Sequence, residues 1–169
     1  MSILDTQAVP LFKLLSTAFA HEQPIPREYT CEGRNVIPTL YWQGVPKGSR
    51  SLVLICLDPD ASKSEPWVHW IVYNIPVNRK NIGPILDRKK EVSDGTLQGR
   101  NSSKKIGWDG PCPPMGDAHR YFFRLYALDS MLDLKPGATK EELLDAIKEH
   151  ILAETELVGL YQSSKTPKS

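Results

Sequence analysis

The sequence predicts a mostly β domain, a sandwich of two antiparallel-rich sheets with one late helix, and three observations carry that prediction. Proline is 14 of 169 residues, about 8% against a typical ~5%, a density that breaks long helices and favours short strands between shaped loops. Runs of β-branched and aromatic residues, separated by glycine and proline, recur along the chain. A single stretch near the C-terminus carries helical periodicity.

Taken in order, residues 12–19 are expected to form the first strand and 23–35 a loop with Gly33 at a turn. Residues 38–42 and 51–57 read as strands separated by Gly44-Val45-Pro46-Lys47-Gly48. The run Ser51-Leu52-Val53-Leu54-Ile55-Cys56-Leu57 is continuously apolar rather than alternating, which predicts a central strand buried on both faces. Residues 67–75 form another long strand, in which simple alternation puts Trp67 and His69 on one face and Val68 and Trp70 on the other. Residues 78–101 read as a polar connection with one short strand near 95–98, and 119–128 as a further strand. Between them, five of the seven positions from Gly110 to Gly116 are glycine or proline, so no regular element is expected there. Thr139-Lys140-Glu141-Glu142 is a capping box. Leu143, Leu144, Ile147 and Ile151 then fall on one stripe, giving a helix over 139–153 followed by a last strand through Leu157, Gly159 and Tyr161.

A formal net charge of +1 removes the electrostatic case for nucleic acid. The longest apolar run, residues 52–57, is far below the ~20 residues of a transmembrane helix. Residues 11–20 imitate a signal peptide, but Asp5 stands where a basic region belongs and Lys13 splits the apolar core. An odd number of cysteines, Cys31, Cys56 and Cys112, with no C-x-x-C pair, argues for a reducing, cytoplasmic setting and against a thiolate zinc site. A single domain over 1–162 with a disordered tail at 163–169 is expected, and exposed edge strands leave a homodimer open.

Three patches set chemically useful side chains at predicted strand ends. Asp58-Pro59-Asp60 closes the buried strand; the two carboxylates point the same way if the segment is extended, or one closes an Asx turn. Trp67 and His69 open the next strand, and His119 and Tyr121 open a later one after the Pro113-Pro114 loop. If the three meet, two imidazoles, a phenol, an indole and a carboxylate line one small hollow, with N–H and O–H donors suited to phosphate or carboxylate. In that arrangement Asp58 repels an anion unless it holds a histidine charged or fixes its tautomer.

On these motifs the chain resembles the phosphatidylethanolamine-binding protein family, in its bacterial and archaeal Raf-kinase-inhibitor-like branch. The matching pieces are Ile25-Pro26-Arg27-Glu28-Tyr29-Thr30-Cys31-Glu32-Gly33, Asp58-Pro59-Asp60-Ala61, Trp67-Val68-His69-Trp70-Ile71-Val72-Tyr73-Asn74-Ile75-Pro76, Gln98-Gly99-Arg100-Asn101, Gly110-Pro111-Cys112-Pro113-Pro114 and the run Gly116 to Tyr121. Together with Ala153 to Gly159 they span roughly 17–161 in the family's order. The resemblance implies a β-sandwich with an anion pocket at one end of a sheet. Its residues match Asp58, Trp67, His69, Pro114, His119 and Tyr121, supported by Asp60, Arg120, Cys112 and Gly116. His69, His119 and Tyr121 are then donors, Trp67 and Pro114 apolar walls, and Asp58 the carboxylate that orients an imidazole. Ser62, Trp108 and Met115 depart from the branch's usual proline, tyrosine and basic residue, and Ile37 replaces a small polar residue. Cys31 and Cys112 fall in the first and last matched loops; a disulfide needs those loops to share one end of the sandwich, and two free thiols are the expectation.

The function expected is non-catalytic binding of a small phosphorylated or other anionic ligand. Because some members inhibit kinases or serine proteases, the resemblance extends this to regulation of a kinase or protease partner. The alternatives are a metal- or acid/base-dependent hydrolase using His69, His119, Asp58 and Asp60, and a serine-protease inhibitor acting through an exposed loop. No G-x-S-x-G occurs and no cysteine adjoins a histidine, so no catalytic residue, metal or cofactor is assigned.

Overall fold

The computed structural model describes residues 11–164. Nine strands and one α-helix follow in the order β1 (Lys13–Ser16), β2 (Gln23–Pro24), β3 (Leu40–Gln43), β4 (Ser51–Asp58), β5 (Trp67–Ile75), β6 (Asn81–Ile82), β7 (Leu97–Gln98), β8 (His119–Leu128), α1 (Lys140–Ile147) and β9 (Ile151–Tyr161), with a 3-10 turn at Arg27–Tyr29 after β2. A six-stranded sheet runs β2-β9-β8-β4-β5-β7 and a three-stranded sheet β1-β3-β6. The long strands β8, β4 and β5 are antiparallel neighbours, and the large sheet ends on two-residue strands at both edges. Short edge strands of this kind offer little template for sheet-to-sheet pairing.

The two faces of the large sheet are both covered. Leu52, Leu54 and Cys56 of β4 pack with Trp70, Val72, Phe123 and Leu125 against Leu14, Leu40, Trp42 and Ile82 of the small sheet. Val53 and Ile55 face the opposite way, onto Ile71, Tyr73, Leu128 and the helix residues Leu143 and Ile147. Continuous hydrophobicity in β4 therefore has its expected cause, a core on each side.

Local sequence rules hold at most elements and yield to pairing at others. Thr139 caps α1, its Oγ1 accepting from Glu142 N at 3.2 Å, while the Glu142 carboxylate returns to the Thr139 hydroxyl. The helix expected over 139–153 stops at Ile147, because Ile151 already pairs with Leu128 as the start of β9. Leu144 and Ile151, expected on the buried stripe, are exposed. The strand expected over 12–19 is only four residues long, the 23–35 loop contains β2 and the 3-10 turn, and the 78–101 connection carries two strand pieces, β6 and β7, where one was expected. Ser164 donates to both Glu32 carboxylate oxygens; residues 165–169 of the expected tail and residues 1–10 lie outside the described residues. Among the described residues no helix is long and apolar enough to cross a membrane.

The cysteines overturn an expectation. Cys31 and Cys112 are disulfide-bonded, with Cα atoms 5.4 Å apart and a sequence separation of 81. Cys31 N also donates to Pro111 O, and a Cβ at Gly110 would run into the Tyr29 carbonyl, so the two loops lie in close contact. Two free thiols are thus not what the fold presents, and the inference from cysteine count to a reducing cytoplasm loses its premise. Cys56 remains free and buried, as expected. A cross-link closing so long a loop is worth about 3–5 kcal/mol in chain entropy, or on the order of 10 °C in Tm for a chain of this size. Scanning calorimetry of the native protein against the Cys31→Ser/Cys112→Ser double variant should show a drop of that order; equal melting temperatures contradict the bond.

Candidate functional site

Antiparallel pairing explains why three distant sequence patches meet. β4 is the central strand, so its C-terminal end lies between the N-terminal ends of β5 and β8. Asp58 pairs with Trp67, and one step beyond the Leu57–Phe122 pair brings Asp58 beside Tyr121. Asp58, Trp67, His69, Pro114, His119 and Tyr121 line one hollow of about 370 Å³. The Cys31–Cys112 bridge forms part of its wall. Asp60, Arg120 and Gly116 do not line it.

His69 reaches the hollow through a β-bulge. Leu57 pairs with Val68 and Cys56 with Trp70, so His69 is the extra residue on β5. Simple alternation fails there as a result: Val68 packs on the helix side, whereas Trp70 and His69 both approach Trp108 on the other side. Bulges re-aim side chains in this way next to functional sites. The ring is then fixed by the loop before Gly110. His69 Nδ1 donates to the Asp109 carbonyl at 2.6 Å, and Asp109 N donates back to the His69 carbonyl at 3.1 Å. A carbonyl oxygen only accepts, so the ring proton is on Nδ1. His69 is 4% exposed, its Nε2 is covered and without a partner among the described residues, and burial lowers its pKa against the opposing pull of the Asp109 carbonyl and of Asp58. The expectation that His69 is a donor to the hollow is therefore corrected: its donor faces Asp109, and Nε2 carries a lone pair.

His119 is oriented by the buried Asp58, whose Oδ2 lies 2.7 Å from Nδ1. The other oxygen of Asp58 accepts from Asp60 N at 2.8 Å, so the Asx turn and the imidazole-orienting role coexist in one carboxylate. Asp60 turns instead to Arg120, accepting from its backbone N–H and from Nε and Nη2 at 2.9–3.0 Å. Those guanidinium bonds hold its carboxyl below the usual range. With Asp60 so committed, the two carboxylates do not act as a pair. Among the described residues no three of His, Cys, Asp or Glu are grouped to hold a metal ion.

Tyr121 is fully buried, its ring edge-on to His69 with centroids 5.1 Å apart and its hydroxyl without a partner among the described residues. Burial first, then the nearby Asp58 charge, pushes its phenol far up. Trp108 stacks on Phe123 at 5.9 Å and meets Trp70 edge-on, closing the floor behind His69. Met115 is exposed, and Ser62 bonds to Ser64 within its own loop. Ile37 is buried in the core between the sheets. Gly116 adopts a φ of +133° and its carbonyl accepts from Gln162.

Sequence reasoning missed Asp109, Asn35 and Lys105. Asp109 acts through its backbone, which no side-chain pattern reveals, while its carboxylate pairs with Arg88 at 2.7 Å. Asn35, at a φ of +55°, accepts from Gly110 N at 2.9 Å and so ties the two loops together. Lys105 lines the hollow; its place in a loop of unremarkable composition gave no signal.

Comparison with known proteins gives a consistent picture. A family model described as phosphatidylethanolamine-binding protein matches residues 15–162. A UPF0098 protein of Methanothermobacter thermautotrophicus is 49% identical over 149 residues, covering 88% of this chain and 97% of its own. One from Chlamydia trachomatis is 42% identical over 156 residues, covering 89% and 98%. Among solved structures, a Chlamydia trachomatis protein described as a phosphatidylethanolamine-binding protein homolog superposes with a TM-score of 0.81 at 39% identity, over 90% of this chain and 98% of that one. Escherichia coli YbcL, described as a member of the mammalian family, gives 0.84 at 28% identity, over 90% and 99%.

A buried hydroxyl without a partner is destabilising by about 1–3 kcal/mol relative to one that is satisfied. Tyr121→Phe should accordingly leave stability in urea unchanged or raise it by up to about 1 kcal/mol. A loss of more than that would show that the hydroxyl is hydrogen-bonded in the folded protein.

Proposed function

Because the chain belongs to the phosphatidylethanolamine-binding protein family, we propose that its hollow binds a small oxyanion of the phosphate class, without catalysis. One observation carries this reading: His69 Nε2 and Tyr121 OH, on the two strands that flank β4, are both covered polar atoms without partners among the described residues, and both residues line the same hollow. Unsatisfied buried groups are rare in folded proteins and point to a ligand that completes them. The Tyr121 hydroxyl donates to the anion, and His119, held through Nδ1 by Asp58, offers Nε2. Lys105 supplies positive charge, while Trp67 and Pro114 wall the sides.

Binding without chemistry fits the state of the candidate nucleophiles. Burial holds the Tyr121 phenol and the Cys56 thiol in their neutral forms. Asp60, which a two-carboxylate hydrolase needs, is engaged by Arg120. Trp67 is 42% exposed at the hollow and so reports occupancy. Its fluorescence should change saturably on titration with inorganic phosphate, and His119→Ala should weaken that binding by about tenfold or more, the worth of one charge-assisted bond. A flat response at millimolar phosphate contradicts the proposal.

A further inference from the structure

We infer that the hollow selects oxyanions carrying a hydrogen-bond donor of their own, that is singly protonated phosphate monoesters, and that His69 is the acceptor that reads this proton. The inference rests on the anion-binding reading above and adds the protonation state of the ligand.

The geometry follows from counting donors and lone pairs. His69 Nδ1 is committed to the Asp109 carbonyl, so the neutral ring presents only a lone pair at Nε2. A second N–H on that ring requires a buried imidazolium, at a residue 4% exposed. The charged and titratable groups around it leave this assignment in place. From β4, Asp58 accepts from Asp60 N at one oxygen and lies against His119 Nδ1 at the other. From the loop before Gly110, the Asp109 carboxylate is paired with Arg88, and Lys105 stands on the lining. From β8, Tyr121 contributes a hydroxyl and His119 a ring already oriented by Asp58. The covered, unpartnered polar atoms on the hollow's lining residues are therefore one acceptor, His69 Nε2, and one donor, Tyr121 OH.

A monoprotonated phosphate monoester matches both. Its P–OH donates to Nε2 while a P–O oxygen accepts from Tyr121. A sulfate monoester of the same size and charge has no O–H, and sets an oxygen lone pair against a nitrogen lone pair. Charge acts in the same sense: a second negative charge is disfavoured beside the buried Asp58 carboxylate, which is 2% exposed.

Calorimetric titration of the whole protein with methyl phosphate and methyl sulfate separates the possibilities. At pH 5.5 both probes are largely monoanions, and methyl phosphate should bind at least about tenfold more tightly, the usual penalty of an unpaired buried polar group. Above the ester's second pKa near 6 its affinity should fall more steeply than that of methyl sulfate, by about a further tenfold per pH unit, because any effect of pH on the protein's own groups acts on both probes alike. In His69→Gln the amide can present either an N–H or a carbonyl oxygen, and the preference should shrink to within about threefold. Equal binding of the two probes by the unmodified protein overturns this inference and leaves the oxyanion site standing. Failure of both probes to bind overturns the oxyanion site itself.

Discussion

The bond from His69 Nδ1 to the Asp109 carbonyl is the constraint on which the site depends. It decides which nitrogen carries the ring proton and fixes the angle at which the imidazole meets Tyr121. Two features of the backbone bring it about. A bulge in β5 rotates His69 off the helix side of the sheet, and the 99–109 segment runs along that strand, bonding back at Gly99, Ser102 and Asp109. Ser102 adds a side-chain acceptor for Val68 N at 2.7 Å, so the bulged strand stays satisfied where regular pairing is lost. Arg88 bonds both the Ile106 carbonyl and the Asp109 carboxylate, holding the loop that holds the ring.

The rest of the rim is stiffened by similar means. The Cys31–Cys112 bridge, Asn35 on Gly110 N and Glu32 on Tyr161 and Ser164 join the loop after β2, the proline-rich loop and the end of β9. A wall built this way can keep polar atoms unsatisfied in the ligand-free protein, because no collapse of the loops onto them is available. Stability is given up at His69 and Tyr121 and retained by bonds a short distance away, a distribution expected of a preformed binding site.

Much of this was legible in the sequence, and the exceptions share a cause. The doubly buried β4 run, the capped helix at Thr139 and the convergence of Asp58, Trp67, His69, Pro114, His119 and Tyr121 follow from hydrophobic pattern, capping chemistry and the family motifs. The facing of His69 was not legible. Period-two alternation assumes an unbroken strand, and nothing in Trp67-Val68-His69-Trp70 announces an extra residue. The end of α1 was misjudged because Ile151 fits a helical stripe as well as a strand, and only pairing with Leu128 decides between them. Cys31–Cys112 and the Asp109 carbonyl are contacts across 81 and 40 residues, set by loop geometry that composition does not encode.

The tautomer of His69 can be measured directly by two-bond 15N–1H correlation NMR on the uniformly labelled, ligand-free protein at neutral pH. The expected result is a neutral ring with its proton on Nδ1 and a bare Nε2 whose resonance moves when a phosphate monoester is added. A proton found on Nε2, or a charged imidazolium at that pH, would contradict it.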